Sequence, residues 1–130
     1  MLHHLSAAAA ALAATVMLAA SAAFAEQPPL AQAGKKHFIR CVACHSMSAE
    51  APPKLGPHLE GIVGREVASV EGFNYSDALR VQGFTWDEAQ LDKWLTSPQA
   101  DIPGLCLPFT GLAKAEERRA FIAYLKHPAP

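Results

Sequence analysis

The stretch "CVACH", residues 41–45, decides how the rest of the chain is read. Two thiols three positions apart lie about one helical turn from each other. A histidine follows the second at once. C-x-x-C-H is the attachment signature of a c-type haem. Its spacing lets both thiols reach the two vinyl groups of one porphyrin and bond as thioethers, while the imidazole faces the iron. His45 is therefore expected to be neutral. One ring nitrogen would bind iron and the other would donate to an acceptor behind it. Two other readings use the same thiols. Half of a zinc site needs a second Cys/His pair at ligand spacing, which the sequence lacks. A thioredoxin-like redox pair belongs in a βαβ pattern, and none surrounds these residues.

Upstream, residues 5–25 read "LSAAAAALAATVMLAASAAFA", an apolar run without charge. Ala23, Phe24 and Ala25 make an A-x-A cleavage pattern before the polar "EQPP". This predicts a secretory signal at residues 1–25 and a single domain at 26–130. His3 and His4 stand in the n-region where lysine or arginine is usual. The competing reading is an uncleaved anchor, since 21 apolar residues are long enough to span a bilayer. The weak hydropathy of alanine and the cleavage pattern favour removal. The expectation is an exported, periplasmic protein with no stable membrane insertion. Three cysteines, Cys41, Cys44 and Cys106, are an awkward number for a disulfide framework. The net charge of −1 argues against nucleic acid as a partner.

The periodicity outlines an all-α plan. A helix over 31–44 leads into the haem motif. A short one covers "SDALR" at 76–80. In "TWDEAQLDKWL", residues 85–95, Thr85 and Glu88 read as a capping box, and Leu91, Trp94 and Leu95 follow at helical spacing. The last helix runs over about 114–127, with Phe121, Tyr124 and Leu125 on its apolar face and Pro128 ending it. Between them lie the Gly/Pro-rich "APPKLGPHLEGIVGR" and "DIPGLCLPFTGL". Long structureless loops need a reason in a small domain. A haem supplies one, as an apolar plate that loops can wrap.

In this arrangement the chain resembles class I cytochrome c, the cytochrome c2 and mitochondrial-type branch. "GKKHFIRCVACH", "LGPHLEGIVGR", "GFNYSDAL", "FTWDEAQLDKWLTSP", "IPG", "FTGL" and "RRAFIAYLK" follow in the family's order from Gly34 to Lys126. The resemblance implies a small cytochrome c fold, with three main helices and long loops around one covalent haem c and its iron. It implies that Cys41 and Cys44 carry the thioethers and that His45 is the axial ligand. Pro57 would accept from the free nitrogen of His45. Arg65, Tyr75 and Trp86 would bond the haem propionates. Leu59, Leu91 and Leu95 would line the pocket. Gly34, Phe38, Tyr124 and Leu125 would pack the first helix on the last.

The chain departs from the family where the sixth ligand is expected. The family's P-G-T-K-M-x-F segment reads Pro103, Gly104, Leu105, Cys106, Leu107, Pro108, Phe109 here. Leucine at 107 has no lone pair. Met1 and Met17 belong to the signal, and Met47 follows His45 on the proximal side. Trp94 stands where the family often has a tyrosine that bonds the methionine sulfur. Three states of the sixth position stay open. The iron is five-coordinate beside Leu107; or Cys106 binds as a thiolate after the loop slips by a residue; or water, hydroxide, His58, His127 or a lysine binds. His58 reads as a surface residue. A surface thiol is the plain reading of Cys106.

The docking face is expected to be less basic than in the mitochondrial-type branch. Arg40, Lys54 and Lys114 keep ring positions, while Gln99, Ala100, Cys106 and Ala113 occupy others. The expected function is single-electron transfer between redox proteins of an exported chain, by a monomer that is a carrier and not an enzyme. The alternative is a haem-based binder or sensor of small ligands such as CO or NO. A domain of a larger oxidoreductase complex is a third reading.

Overall fold

The computed structural model describes residues 28–128, so the expected signal, with Met1 and Met17, lies outside the described residues. Among the described residues five α-helices follow in order: α1 (Pro29–Lys35), α2 (Asp77–Arg80), α3 (Glu88–Thr96), α4 (Pro98–Asp101) and α5 (Ala115–Lys126). A 3-10 segment, Lys36–Arg40, continues α1. Among the described residues extended pairing is limited to one isolated antiparallel bridge, Glu66 to Thr85.

The helix expected over 31–44 starts earlier and changes type. Pro29 occupies the first helical position, where its fixed φ suits the helix and its missing N–H costs nothing. The chain then tightens at Lys36 into the 3-10 geometry common at helix ends. Residues 41–44 are turn rather than helix, although Cys44 and His45 still donate to the Cys41 carbonyl.

α1 lies along α5, and Gly34 is buried where they meet. A Cβ at this position would overlap the Ala120 backbone carbonyl. The ring of Phe38 approaches Tyr124 with centroids 6.1 Å apart. On α5, Phe121, Tyr124 and Leu125 are buried, as the apolar spacing predicts.

The capping box expected at Thr85 does not form. The Thr85 backbone is held in the bridge to Glu66, and Trp86 N–H donates to the Arg65 carbonyl at 2.8 Å. The helix cannot begin until that pairing ends. Asp87 is the cap, its carboxylate accepting from Gln90 N–H at 2.7 Å. Asp87→Ala should therefore cost about 1 kcal/mol in denaturant unfolding of the holoprotein, with Thr85→Val costing clearly less. Pro98 does more than stop α3. It opens the single turn of α4, to which Ser97 is the N-cap residue.

α3 and α5 are fastened across the core edge. Arg118 Nε donates to Asp92 at 2.7 Å, and its Nη1 donates to the carbonyls of Leu112 and Ala113. Leu112 N–H donates to Leu95 O at 2.7 Å. The exit of "DIPGLCLPFTGL" is thereby tied to both helices. Leu59, Ile62, Trp86, Leu91, Leu95, Ile102, Leu105 and Leu112 complete one apolar cluster with α5.

Candidate functional site

The motif and the loop that follows it are stitched together by backbone. Gly56 N–H donates to Cys44 O at 2.8 Å, and Leu59 N–H donates to Ser46 O at 2.7 Å. Lys54 Nζ adds bonds to the carbonyls of Val42 (2.5 Å) and His45 (3.3 Å). The loop is thus folded back beneath the cysteines, bringing Pro57 to His45. The His45 Nδ1–H donates to Pro57 O at 2.7 Å. This is the contact expected from the resemblance, and it leaves Nε2 for a metal. The imidazole lies on Gly56, where a Cβ would overlap the ring. Burial lowers the pKa of His45. The Pro57 bond opposes that shift, and the charges of Lys54 and Arg65 add to it. The ring is therefore neutral at neutral pH, as a ligand must be.

Burial pushes the Cys41 thiol up to about 11, with Arg40 opposing and Cys44 adding to the rise. A redox-active pair needs a thiolate near neutral pH, and burial moves Cys41 away from that state.

Arg65 and Tyr75 come together beside the same loop. Arg65 donates to Glu60 O at 3.0 Å and to His58 O at 2.9 Å. Burial lowers its pKa, and Tyr75 partly offsets this. The Tyr75 hydroxyl accepts from Val70 N–H at 3.2 Å. Trp86 is buried and heads a row of rings: it meets Phe84 edge-on at 4.8 Å and Trp94 edge-on at 5.8 Å. Trp94 in turn stacks on Phe109 at 5.8 Å and 28°. The Trp94 Nε1 is shielded from solvent without a hydrogen-bond partner. An orphaned buried donor of this kind costs about 1–3 kcal/mol.

His58 is half-buried with its Nδ1 shielded, not a surface residue as the sequence suggests. Arg65 has drawn its backbone inward. His127 is exposed just past α5. The segment around Leu107 is exposed from Cys106 through Pro108. Leu105 is buried (8% exposed), Cys106 is exposed, and Leu107 is 36% exposed. Gln99 Nε2 holds the segment by donating to Leu107 O at 2.8 Å and to Phe109 O at 3.3 Å. Met47 packs against the core.

Gly56, Asp87 and Gln99 carry structural tasks that the sequence did not disclose. Lys54 was legible only as a surface cation. Its partners are backbone carbonyls, which have no residue identity. Only the spacing of Gly56 before Pro57 hinted at a close approach.

No family model matches the chain. Individual relatives do. The chain is 44% identical over 92 residues to cytochrome c2 from Rhodomicrobium vannielii, covering 71% of this chain and 74% of that protein. It is 42% identical over 93 residues to cytochrome c-554 from Methylosinus trichosporium, covering 72% and 70%. Its fold is similar to that of cytochrome cH from Methylobacterium extorquens, with a TM-score of 0.68, 40% identity, and 74% and 96% of the two chains covered. The chain belongs to the class I c-type cytochromes. It has the all-α cytochrome fold, and like its family it is a monohaem electron carrier rather than an enzyme. The family's cofactor is one covalent haem c with its iron. The residues of this cytochrome fit that group. An oriented neutral imidazole, two thiols on one turn and an apolar cluster bounded by aromatic rings are the parts a covalent haem requires. Among the described residues no helix is long and apolar enough to cross a membrane.

Proposed function

We propose that this cytochrome is an exported, periplasmic electron carrier, with a signal at 1–25 and one haem domain at 26–130, in which the iron's sixth position has no methionine. Cys41 and Cys44 would hold haem c by thioethers, and His45 Nε2 would bind its iron. The haem supplies a one-electron ferric/ferrous couple. The chain's own residues do the rest. Pro57 and Gly56 fix the imidazole plane. Arg65, Tyr75 and Trp86 would supply donors to the haem propionates, which need them once they leave water. The apolar cluster excludes water and limits reorganisation as the charge changes. The observation that carries this reading is the 2.7 Å bond from His45 Nδ1 to Pro57 O directly behind the C-x-x-C-H turn.

The partners are redox proteins of an exported electron-transfer chain, met by a monomer. Lys54, one of the retained ring cations, is bonded to motif carbonyls. That supports a docking face less basic than the mitochondrial type. Cys106 faces out, which supports an open sixth position over thiolate ligation. A Cys106→Ser variant with an unchanged ferric spectrum is expected. The open position also supports a second reading, the binding of CO or NO.

The test is a redox titration of holoprotein purified from an exporting host. One electron per chain is expected, with one haem that stays attached on denaturation. Cys41→Ser together with Cys44→Ser should release it. A haem that washes off the unaltered chain, or a titration without a reversible one-electron step, would contradict the proposal.

A further inference from the structure

A cleft of about 600 Å³, open to solvent, lies between the loop that follows the haem motif, residues 46–58, and the turn at 70–73. Clefts that hold small organic molecules have this size. Gly56 and Pro57 line it and also contact the His45 ring, but Cys41, Cys44 and His45 do not line it. The cleft is therefore distinct from the space that receives the haem. Pro53, Val70 and Phe73 give it apolar walls.

His58 lines the same cleft, and its Nδ1 is shielded from solvent with no hydrogen-bond partner. Shielded polar atoms in this state are rare enough to need an explanation, and an arriving ligand atom is one. Other donors converge there. Ser46 Oγ accepts from Ser48 N–H at 3.1 Å, which leaves its own O–H to give. Lys54 gives two of its three N–H groups to the carbonyls of Val42 and His45, and the third remains. The charged side chains that line the cleft are Lys54 from one loop and Glu71 from the other, of opposite sign. A plain carboxylate would answer Lys54 and be repelled by Glu71. A plain amine would do the reverse. A zwitterion matches both, and an apolar remainder suits the walls.

We propose that this cleft binds a small zwitterion with an apolar side chain, a free aliphatic or aromatic amino acid. Its carboxylate takes Lys54, Ser46 and the Nδ1–H tautomer of His58, and its ammonium takes Glu71. The side chain lies on Pro53, Val70 and Phe73. Bonds between ionised partners are stronger than neutral ones, so each end of the ligand carries about tenfold or more in affinity. The inference does not depend on the state of the sixth iron position.

The test uses holoprotein and L-phenylalanine, followed by calorimetry and by NMR of the backbone amides and the His58 ring. Saturable binding is expected, with shifts centred on residues 46–58 and 70–73. N-acetyl-L-phenylalanine lacks the ammonium and L-phenylalaninamide lacks the carboxylate. Each should bind about tenfold more weakly or worse. Glu71 is exposed, so Glu71→Gln should keep the fold and the haem spectrum. It should weaken phenylalanine about tenfold without weakening the N-acetyl compound. His58→Leu should also weaken phenylalanine, and His58→Asn, whose amide N–H can stand in for Nδ1–H, should recover part of the loss. Equal affinity for phenylalanine and its N-acetyl derivative would overturn the inference, because the Glu71 half of the match would be missing. Shifts that map away from the cleft, or no saturable binding up to about 10 mM, would overturn it too.

Discussion

Leu107→Met is expected to raise the reduction potential by on the order of 100 mV and to close the iron to CO. The physical reason is the thioether. Sulfur is a soft donor that favours ferrous iron, and leucine offers no donor at all. The exchange nearly conserves volume, so the segment need not move to accept it. Its register is already set. Leu105 and Ile102 are buried below it, and Gln99 grips the carbonyls of Leu107 and Phe109 above it. Leu107 itself is only partly covered, so a longer, more flexible side chain has room to turn. Spectroelectrochemical titration of the two holoproteins measures the shift. Equal potentials would mean that residue 107 does not face the iron.

Gly34→Ala is the second large effect. The added methyl would meet the backbone carbonyl of Ala120, not a side chain that can swing away. The two helices must part, and Ala31, Phe121 and Tyr124, all buried around α5, lose packing together. Overpacking of this kind costs about 3 kcal/mol. For a domain this size that is roughly 15 °C in Tm, readable by thermal unfolding of the holoprotein. A loss near that of Asp87→Ala would show that the crossing of α1 and α5 is loose. Because α1 runs straight into the haem motif through Lys36–Arg40, the ferric spectrum should also become heterogeneous in Gly34→Ala.

What was legible in the sequence follows from what kind of signal each feature leaves. "CVACH" combines residue types and spacing that few other chemistries use, and the resemblance it led to implied Pro57, whose carbonyl accepts from His45 Nδ1–H. The helix α5 was readable because its apolar stripe and its Pro128 stop agree. The first helix was harder. Nothing in "GKKHFIR" marks the change from α to 3-10, which depends on hydrogen bonds one residue shorter. Thr85 carried the stronger capping pattern, yet a tertiary pairing with Glu66 took its backbone, and the cap moved to Asp87. Lys54 and Gln99 were legible only as polar surface residues, since each bonds to backbone carbonyls. Trp94 stood out as a departure from the family, but the orphaned state of its N–H depends on three rings brought together from α3 and two loops.

We propose a one-haem cytochrome whose iron His45 would hold without a methionine ligand. Adding CO to the reduced holoprotein tests it most directly. A high-spin ferrous spectrum that converts on mixing, with one CO bound per haem, is expected. A reduced protein that is already low-spin and does not respond to CO would contradict it.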